Sequence, residues 1–414
     1  MQGLLGIVVL LGLAWLVSED RRNVNVRAIG VGLAMQFVLA LALLRFEPVR
    51  ETLLLANHVV YAIEAATRAG TTFVLGFLGG GDPPFDIKNG GALFIFGFRI
   101  LPQIVVFSVL VALTWYWRIL PLVIKGFAWI LHRTLGVGGA VGVGAGSSMF
   151  VGMVEAPLVI RAYLKNLSRS EFFIVLTAGM STVAGSIMVL YANVLRDVID
   201  GALGHILIAS VINVIGAIVI ARIMIPSSEA TEGGDVADTL KYGSVMDAIS
   251  RGTTDGLRLA VNVGAMLVVL VSLIALLNAI IGVFAVGGEA LTLQRIMGWL
   301  FAPIAWLIGI PWVEATQAGA LLGTKLVLNE LVAYIQLAAV PVTDLSAHSR
   351  TILTYALCGF ANFGSLGITL GGVGALVPER RAELFQLAPR TLISGTIVNC
   401  ITGAIVGLVY PAVG

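Results

Sequence analysis

The sequence predicts an all-α polytopic membrane protein. It has eight transmembrane helices, two re-entrant helical hairpins and amphipathic interfacial helices, with inverted repeats. Three observations predict this class. Of the 414 residues, 58% are hydrophobic and 12% are charged, whereas soluble domains carry about 25% charged residues. The apolar residues form runs of about 20, the length that crosses a bilayer. Two apolar regions are broken near their middles by glycine and charge. The net charge of +2 gives no indication of a nucleic-acid partner.

Eight apolar runs are predicted to cross the membrane. Basic residues beside them set the orientation, because cytoplasmic loops carry an excess of Lys and Arg. Arg21 and Arg22 follow the first run, Lys125 and Arg133 follow the third, and Arg390 precedes the last. This pattern predicts that both chain ends lie outside. The runs are residues 3–17, 28–45, 92–117, 171–195, 203–224, 254–285, 350–370 and 391–412.

Residues 50–68 differ from the spans. Asn57, Tyr61, Glu64 and Arg68 recur at helical spacing on one face of this segment. The pattern predicts an amphipathic helix that lies in the membrane interface. The breaker-rich sequence GFLGGGDPPFDIKNGG follows it and predicts a loop.

Two interrupted apolar regions, residues 136–168 and 311–342, fit neither a span nor a loop. We interpret each as a re-entrant hairpin of two half-helices, which is tolerated only inside protein or beside a wet cavity. A Trp-containing helix precedes each region, and a span broken by small polar residues follows each, at 178–187 and 358–368. The two hairpins enter from opposite sides, so the repeats are inverted. Such paired breaks indicate the midplane site of a transporter.

Glu155 in the first hairpin and Glu330 in the second are carboxylates with apolar neighbours, while Glu314, also in the second region, is read as structural. An ionisable group at membrane depth is costly and is read as a functional site by default. Structural pairings stay open as alternatives: Glu155 with Arg99 or Arg258, and Glu330 with Lys325. As hydrogen-bond acceptors, the two carboxylates suit hydroxyl groups or a base N–H.

Neutral polar and aromatic residues follow in the second broken span. Asn362 and Ser365 offer donors and acceptors, although Asn362 could instead only bond a helix end. Phe360 and Phe363 can pack on a planar ring. The set suits a neutral, polyhydroxylated, partly planar solute. Hydroxyl groups near a possible cation belong to Ser147, Ser148, Ser181 and Thr182.

Motifs of other classes are absent from the sequence. It contains no G-x-x-x-x-G-K-[ST], no H-E-x-x-H and no C-x-x-C, and its four histidines are dispersed. ATP-driven transport by this chain alone and enzymatic activity are therefore not expected. No cofactor is expected either, apart from a coupling cation.

Four motifs resemble those of the concentrative nucleoside transporter family, in the same order and over nearly the whole chain. The chain is most similar to the short bacterial members. The resemblance implies an integral protein of the bacterial inner (plasma) membrane and a homotrimer with a scaffold and an elevator-like transport domain. It implies uptake of nucleosides, often uridine, driven by a cation gradient. The motifs are GGALFIFGFRILP (90–102), FVGMVEAPLVIRAYL (150–164), GTKLVLNELVAY (323–334) and CGFANFGSLGI (358–368).

The resemblance also implies roles for individual residues. The base would face the first hairpin tip, and the ribose would bond the second hairpin and the broken span after it. A cation would lie between the first tip and the next helix break. The base-facing residues are Gly152, Met153, Val154, Glu155 and Ile187; the ribose-bonding residues are Glu330, Asn362 and Ser365; Phe360 and Leu259 line the site. The implied Na⁺ ligands are Ser148, Val151, Thr182 and Val183.

Three positions depart from the family pattern. Ser148 stands where sodium-coupled relatives typically have Asn, and proton-coupled bacterial relatives look similar there, so Na⁺ and H⁺ both stay open. Val154 stands where Thr is common, which removes a hydroxyl group near the base. Leu331 replaces the usual Phe and is read as a packing change.

The resemblance divides the chain into four segments. Residues 1–117 are mainly scaffold, with three spans and the interfacial helix. Residues 118–224 form the first transport-domain repeat, with hairpin 1 at about 136–168. Residues 225–290 contain an acidic loop and a scaffold span. Residues 291–414 form the second repeat, with hairpin 2 at about 311–342 and the last two spans.

The expected function is a secondary-active, cation-coupled importer of uridine-like nucleosides. One alternative is a hairpin-bearing carrier of another small polar solute such as a dicarboxylate, which two acidic residues would repel. Another is an integral-membrane enzyme, for which no metal, phosphate or nucleophile constellation is found. A nucleoside-gated channel or sensor is the third, and only concentrative flux distinguishes it.

Overall fold

The computed structural model describes residues 2–45, 62–86, 95–227 and 241–410, and these residues are mostly helical. A short antiparallel pair, β1 (Ala285–Val286) and β2 (Glu289–Ala290), lies between the helices Val245–Ile281 and Leu293–Leu307. The helices in chain order are α1 (Gln2–Leu16), α2 (Val26–Arg45), α3 (62–75), α4 (Phe96–Arg99), α5 (Leu101–Tyr116), α6 (Ile119–Leu135), α7 (Gly139–Ser148), α8 (Glu155–Val159), α9 (Arg161–Leu164), α10 (Arg169–Ser181), α11 (Gly185–Leu195), α12 (Ala202–Met224), α13 (Val245–Ile281), α14 (Leu293–Leu307), α15 (Trp312–Val327), α16 (Glu330–Ala339), α17 (Ala347–Ala356), α18 (Phe363–Leu376) and α19 (Arg381–Val409).

Six helices in the described residues are long and apolar enough to cross a membrane. The count rises to seven if α14 and α15, bent by 117°, form one broken span. Two of the eight predicted spans differ. The first, α1, has 15 residues, or about 22 Å at 1.5 Å per residue, against a hydrocarbon core of about 30 Å. The predicted span 350–370 is two helices, α17 and α18, because residues 358–362 leave helical geometry.

The predicted interfacial helix at 50–68 lies partly outside the described residues, as do Asn57 and Tyr61. Its C-terminal part is helical and continues as α3. Glu64 pairs with Arg196 at 3.4 Å, and Arg68 donates to the carbonyl of Gly80 at 2.8 Å. Residues 87–94 and 228–240, which contain parts of the predicted glycine-rich and acidic loops, also lie outside the described residues.

Helices α10 and α12 form the centre of the core. Every residue of α10 from Ser170 to Ser181 is buried, as are nearly all residues of α12. A helix that is apolar all round belongs inside a protein or a membrane. A capping box starts α10: the Ser168 hydroxyl accepts from the Glu171 N–H, and the Glu171 carboxylate accepts from the Ser168 N–H.

Both hairpins consist of paired shorter helices, as predicted. In hairpin 1, α7 ends at Ser148, a turn occupies 149–154, and α8 begins at Glu155. In hairpin 2, α15 ends at Val327 and α16 begins at Glu330. The Asn329 side chain caps α16 by accepting from the N–H of Val332 at 2.9 Å. Each carboxylate is thus the first residue of the helix that follows a hairpin tip.

The span after each hairpin is broken, and the two breaks meet in the core. The first break lies between α10 and α11, and the second lies between α17 and α18. The side-chain amides of Asn213 and Asn399 each donate to the carbonyls of Ser181 and Cys358, all at 2.8 Å. A Cβ at Gly359 would lie 2.5 Å from the Ser181 oxygen, so the absence of a side chain permits this close approach.

Candidate functional site

A cavity of about 540 Å³ lies between the two hairpin tips, the two helix breaks and α13. A cavity of this size suits a small organic ligand. All ten residues predicted to bind substrate line it: Gly152, Met153, Val154, Glu155, Ile187, Leu259, Glu330, Phe360, Asn362 and Ser365. The structure therefore brings together residues from five helices, the tip of hairpin 1 and the second break.

Glu330 is held by both of its carboxylate oxygens. The Tyr191 hydroxyl donates to Oε1 at 2.5 Å, and the Asn362 amide donates to Oε2 at 2.8 Å. Glu330 is 4% exposed and Tyr191 is 1% exposed. The Tyr191 ring packs on Tyr334 with ring centroids 5.0 Å apart. Each carboxylate oxygen has capacity for a second hydrogen bond, so the fixed carboxylate can still accept from a ligand.

Asn362 has two roles at the second helix break. Its Oδ1 accepts from the N–H of Ser365 at 2.7 Å, which caps α18. Its Nδ2 donates to Glu330. The helix-end alternative is thus correct for one end of the amide, while the other end orients the carboxylate.

Lys325 is not the partner of Glu330. Its Nζ donates to the carbonyl of Ala356 at 3.2 Å and to Oδ1 of Asn399 at 2.5 Å. No ion pair joins Lys325 to Glu330 within the described residues. The direct ion pair of that alternative is therefore not formed.

Glu155 faces the cavity at the tip of hairpin 1. Gly152 precedes it with φ +107°, and a Cβ there would lie 2.8 Å from Oε2 of Glu155. The tip therefore needs glycine for its backbone conformation, and a Cβ there would displace the Glu155 carboxylate. Across the described ranges, Glu155 forms no ion pair with Arg99 or Arg258. Arg258 instead lines the cavity from α13.

The predicted cation ligands lie beside tip 1. Val151 lines the cavity, while Ser148, Thr182 and Val183 are buried behind it. The Ser148 hydroxyl donates to the Ala145 carbonyl at 2.7 Å. The Thr182 hydroxyl donates to the carbonyl of residue 178 at 2.8 Å. Each hydroxyl oxygen therefore keeps lone pairs that can face a cation.

Tip 1 and the first break are also joined through the backbone. The N–H of Gly185 donates to the carbonyl of Phe150 at 3.0 Å. The two breaks are joined in the same way, because the N–H of Phe360 donates to the carbonyl of Thr182 at 3.3 Å. The predicted base-facing, ribose-bonding and cation-binding residues thus belong to one connected unit.

Several cavity residues were not predicted from the sequence. Tyr191 is the most informative, and its signal is a phenol inside a mostly apolar helix, since a buried hydroxyl group needs a partner. Phe363, predicted to pack on a ring, is 55% exposed and is not among the described residues that line the cavity. Further polar additions include Asn329 at tip 2 and Asp255, Arg258 and Asn262 on α13.

The fold and the cavity define a class of protein. Membrane-length helices surround a cavity built from two broken hairpins and two broken spans, with acidic residues at the tips. Backbone that is irregular at membrane depth and lines a cavity is typical of secondary transporters. The molecule is organised as a membrane transporter.

Comparison with known proteins identifies the family. Family models match residues 5–78 (Na⁺ dependent nucleoside transporter N-terminus), 97–197 (Gate: nucleoside recognition) and 205–407 (Na⁺ dependent nucleoside transporter C-terminus). The chain is 36% identical to the uncharacterized transporter YutK of Bacillus subtilis, over 98% of both chains. It is 34% identical to the nucleoside permease NupC of Helicobacter pylori, over 97% of this chain and 96% of that one.

Solved structures agree with this assignment. The chain resembles CNTnw in an inward-facing substrate-bound state, with a TM-score of 0.90 and 35% identity over 99% of both chains. The chain belongs to the Na⁺-dependent nucleoside transporter family, which confirms the resemblance found in its motifs. Members of the family are transporters and not enzymes. The bacterial relatives are permeases, in agreement with an integral protein of the inner membrane.

Proposed function

We propose that this chain imports nucleosides, uridine among them, and that a downhill cation drives the uptake. The single observation that supports this best is the fixed carboxylate of Glu330 on the cavity wall. Tyr191 and Asn362 hold one oxygen each, so both oxygens keep acceptor capacity in a defined orientation. Adjacent hydroxyl groups, as on a ribose, match two acceptors on one carboxylate.

The opposite side of the cavity suits a planar base. Ile187, Leu259 and Phe360 supply apolar surface, and Glu155 supplies an acceptor at tip 1. Apolar walls with a few oriented polar groups are the usual composition of a small-molecule site. Val154, which has no hydroxyl group, lines the same end. We therefore assign the base to hairpin 1 and the ribose to hairpin 2.

The coupling cation is assigned to Ser148, Val151, Thr182 and Val183. Oxygen ligands suit hard cations, and these residues offer hydroxyl and backbone oxygens between tip 1 and the first break. Na⁺ is the first candidate because the family models describe Na⁺-dependent transporters. H⁺ is the alternative, because Ser148 replaces the Asn that is typical of sodium-coupled relatives.

We further propose a homotrimer in which the two repeats, residues 118–224 and 291–414, move as a transport domain in an elevator-type cycle. Residues 1–117 and 225–290 would form the scaffold. The long helix α13 supports this division, since only 6% of the residues in its most apolar stretch are buried within the chain. Its apolar surface is therefore available to lipid or to a neighbouring copy.

Uptake of labelled uridine into proteoliposomes tests the function. The Na⁺ gradient and the pH gradient are varied independently, and an ionophore that dissipates each gradient is the control. Uptake above equilibrium under one gradient is expected. Absence of uptake under both gradients would contradict the proposal. Competition by dicarboxylates and not by nucleosides would favour a carrier of another polar solute.

A further inference from the structure

We propose that Lys325 is a tethered cation in the second repeat. Its ammonium group occupies the place in the second repeat that corresponds to the coupling-cation site of the first repeat. A second mobile cation therefore has no site there, and the transport cycle uses one coupling cation per nucleoside. The part of this inference that concerns transport rests on the proposed function. The position of the ammonium group rests on geometry alone.

Lys325 is buried in the core and makes contacts that a metal cation would make. It belongs to α15, the first arm of hairpin 2, and is 2% exposed. Its Nζ contacts two neutral oxygens, the carbonyl of Ala356 and Oδ1 of Asn399. Ala356 is the last residue of α17, directly before the second break. The ammonium group therefore joins the first arm of a hairpin to the end of the half-helix that follows that hairpin.

The residues assigned to the coupling cation join the same elements of the first repeat. Ser148 is the last residue of α7, the first arm of hairpin 1. Thr182 and Val183 directly follow α10, the half-helix after that hairpin. In the inverted repeat, α7 corresponds to α15, and α10 corresponds to α17. The positive charge at this junction is thus a cation from solution in the first repeat and the ammonium group of Lys325 in the second.

Helix electrostatics explain why both junctions favour a cation. The last carbonyls of a helix lack partners within that helix, and they form the negative end of its dipole. Asn399 connects the two junctions, because its Nδ2 bonds the carbonyls of Ser181 and Cys358 while its Oδ1 accepts from Lys325. The fixed charge neutralises the end of α17, and its repulsion disfavours a mobile cation at that second junction.

Two substitutions separate charge from space at this position. Lys325→Met keeps the length of the side chain and removes the charge. Lys325→Ser removes the charge and leaves room for Na⁺ beside the oxygens of Ala356 and Asn399. Lys165→Met is the matched control, because Lys165 is a surface lysine paired with Glu379, with a side chain that is 68% exposed.

Two measurements test the inference. The charge moved per uridine is obtained from reversal potentials in proteoliposomes, and the melting temperature of the purified proteins is measured against Na⁺ concentration with choline as the balancing ion. One charge per uridine is expected for the unmodified protein. The Na⁺ stabilisation of Lys325→Ser should correspond to about one more bound Na⁺ than in the unmodified protein. Lys325→Met should lose uptake at every Na⁺ concentration, and Lys165→Met should behave as the unmodified protein.

Three results would overturn the inference: two charges per uridine in the unmodified protein, unchanged uptake in Lys325→Met, or no additional Na⁺ stabilisation in Lys325→Ser. If Lys325→Ser does not fold, the charge ratio of the unmodified protein and uptake by Lys325→Met still decide. If the unmodified protein transports no uridine under either gradient, the proposed function fails. The melting temperatures of Lys325→Ser then test the tethered cation independently of transport.

Discussion

Replacement of Glu330 by Gln tests the proposed ribose site most directly. The two side chains have the same shape, so the surrounding structure can stay in place. Asn362 already uses its Oδ1 to cap α18, so its Nδ2 still needs an acceptor, and the Gln oxygen supplies one. The Gln NH₂ then faces Tyr191, whose hydroxyl can turn to accept. The substitution therefore preserves the contacts inside the protein but removes the charge and turns one acceptor toward the ligand into a donor.

The expected loss follows from that single change. A hydrogen bond to a charged group contributes about 1.5–3 kcal/mol. Since about 1.4 kcal/mol equals a tenfold change in an equilibrium constant, the Kd for uridine should rise by roughly 10- to 150-fold. The melting temperature should change little, because Tyr191 and Asn362 keep their partners.

Isothermal titration of purified protein with uridine, and with its 2′-deoxy and 3′-deoxy analogues, measures this loss. The unmodified protein should discriminate against the analogue that lacks the hydroxyl bound by Glu330, and the variant should not. Glu314→Gln is the matched control. Glu314 is in the same hairpin, on α15, and its carboxylate accepts from Ser346 at the base of the hairpin. A Kd for Glu330→Gln within twofold of the unmodified value would refute the assigned role.

Three further predictions concern the surroundings of the site. Tyr191→Phe should raise the Kd for uridine by up to about tenfold in the same titration, because the Glu330 carboxylate loses one of its two orienting donors. An unchanged Kd would contradict the positioning role of Tyr191. Gly359→Ala should destabilise the protein by about 1–3 kcal/mol in thermal melts, because the new Cβ would lie 2.5 Å from the Ser181 oxygen; an unchanged melting temperature would count against the crossing of the breaks. Glu19→Gln tests a surface ion pair. The hydrogen bond from Arg169 holds the pKa of Glu19 below its usual value of 4.5. The ionised carboxylate therefore stabilises the fold above about pH 4.5, and this stabilisation is lost as the pH falls through the folded-state pKa. The variant should melt at a lower temperature at about pH 7, by the equivalent of less than about 1 kcal/mol, and a difference that persisted at about pH 3 would contradict the argument.

The hairpins and breaks could be predicted from the sequence because their signals are local. Glycine and small residues interrupt apolar runs of membrane length at 136–168 and 311–342, and a carboxylate lies near each interruption, Glu155 in the first run and Glu330 in the second. Because Glu155 and Glu330 each begin a helix after a tip, the same local pattern also placed the site. The resemblance added the base-facing and cation-binding residues, all of which lie in or beside the cavity.

The remaining contacts depend on how distant helices face one another, which local periodicity does not determine. Tyr191 and Glu330 are 139 positions apart, and the mostly apolar sequence of α11 does not indicate which side of the helix faces the cavity. The amides of Asn213 and Asn399 were likewise missed, since an isolated Asn in an apolar span does not indicate which carbonyl it meets. Phe363 is a prediction that the structure does not support. Its aromatic side chain suited packing on a planar ring, but at the start of α18 it is 55% exposed.

A broken helix inside a membrane frees backbone groups that cost several kcal/mol each if they stay unpaired. The chain resolves this cost differently on the two sides of its breaks. On the core side, Asn213, Asn399 and Lys325 bond the freed carbonyls of Ser181, Cys358 and Ala356. On the cavity side, α8 and α16 begin at Glu155 and Glu330, whose carboxylates line the cavity. The polar capacity that remains there is available to a polar solute, so the breaks that would weaken a simple span are the physical origin of the site.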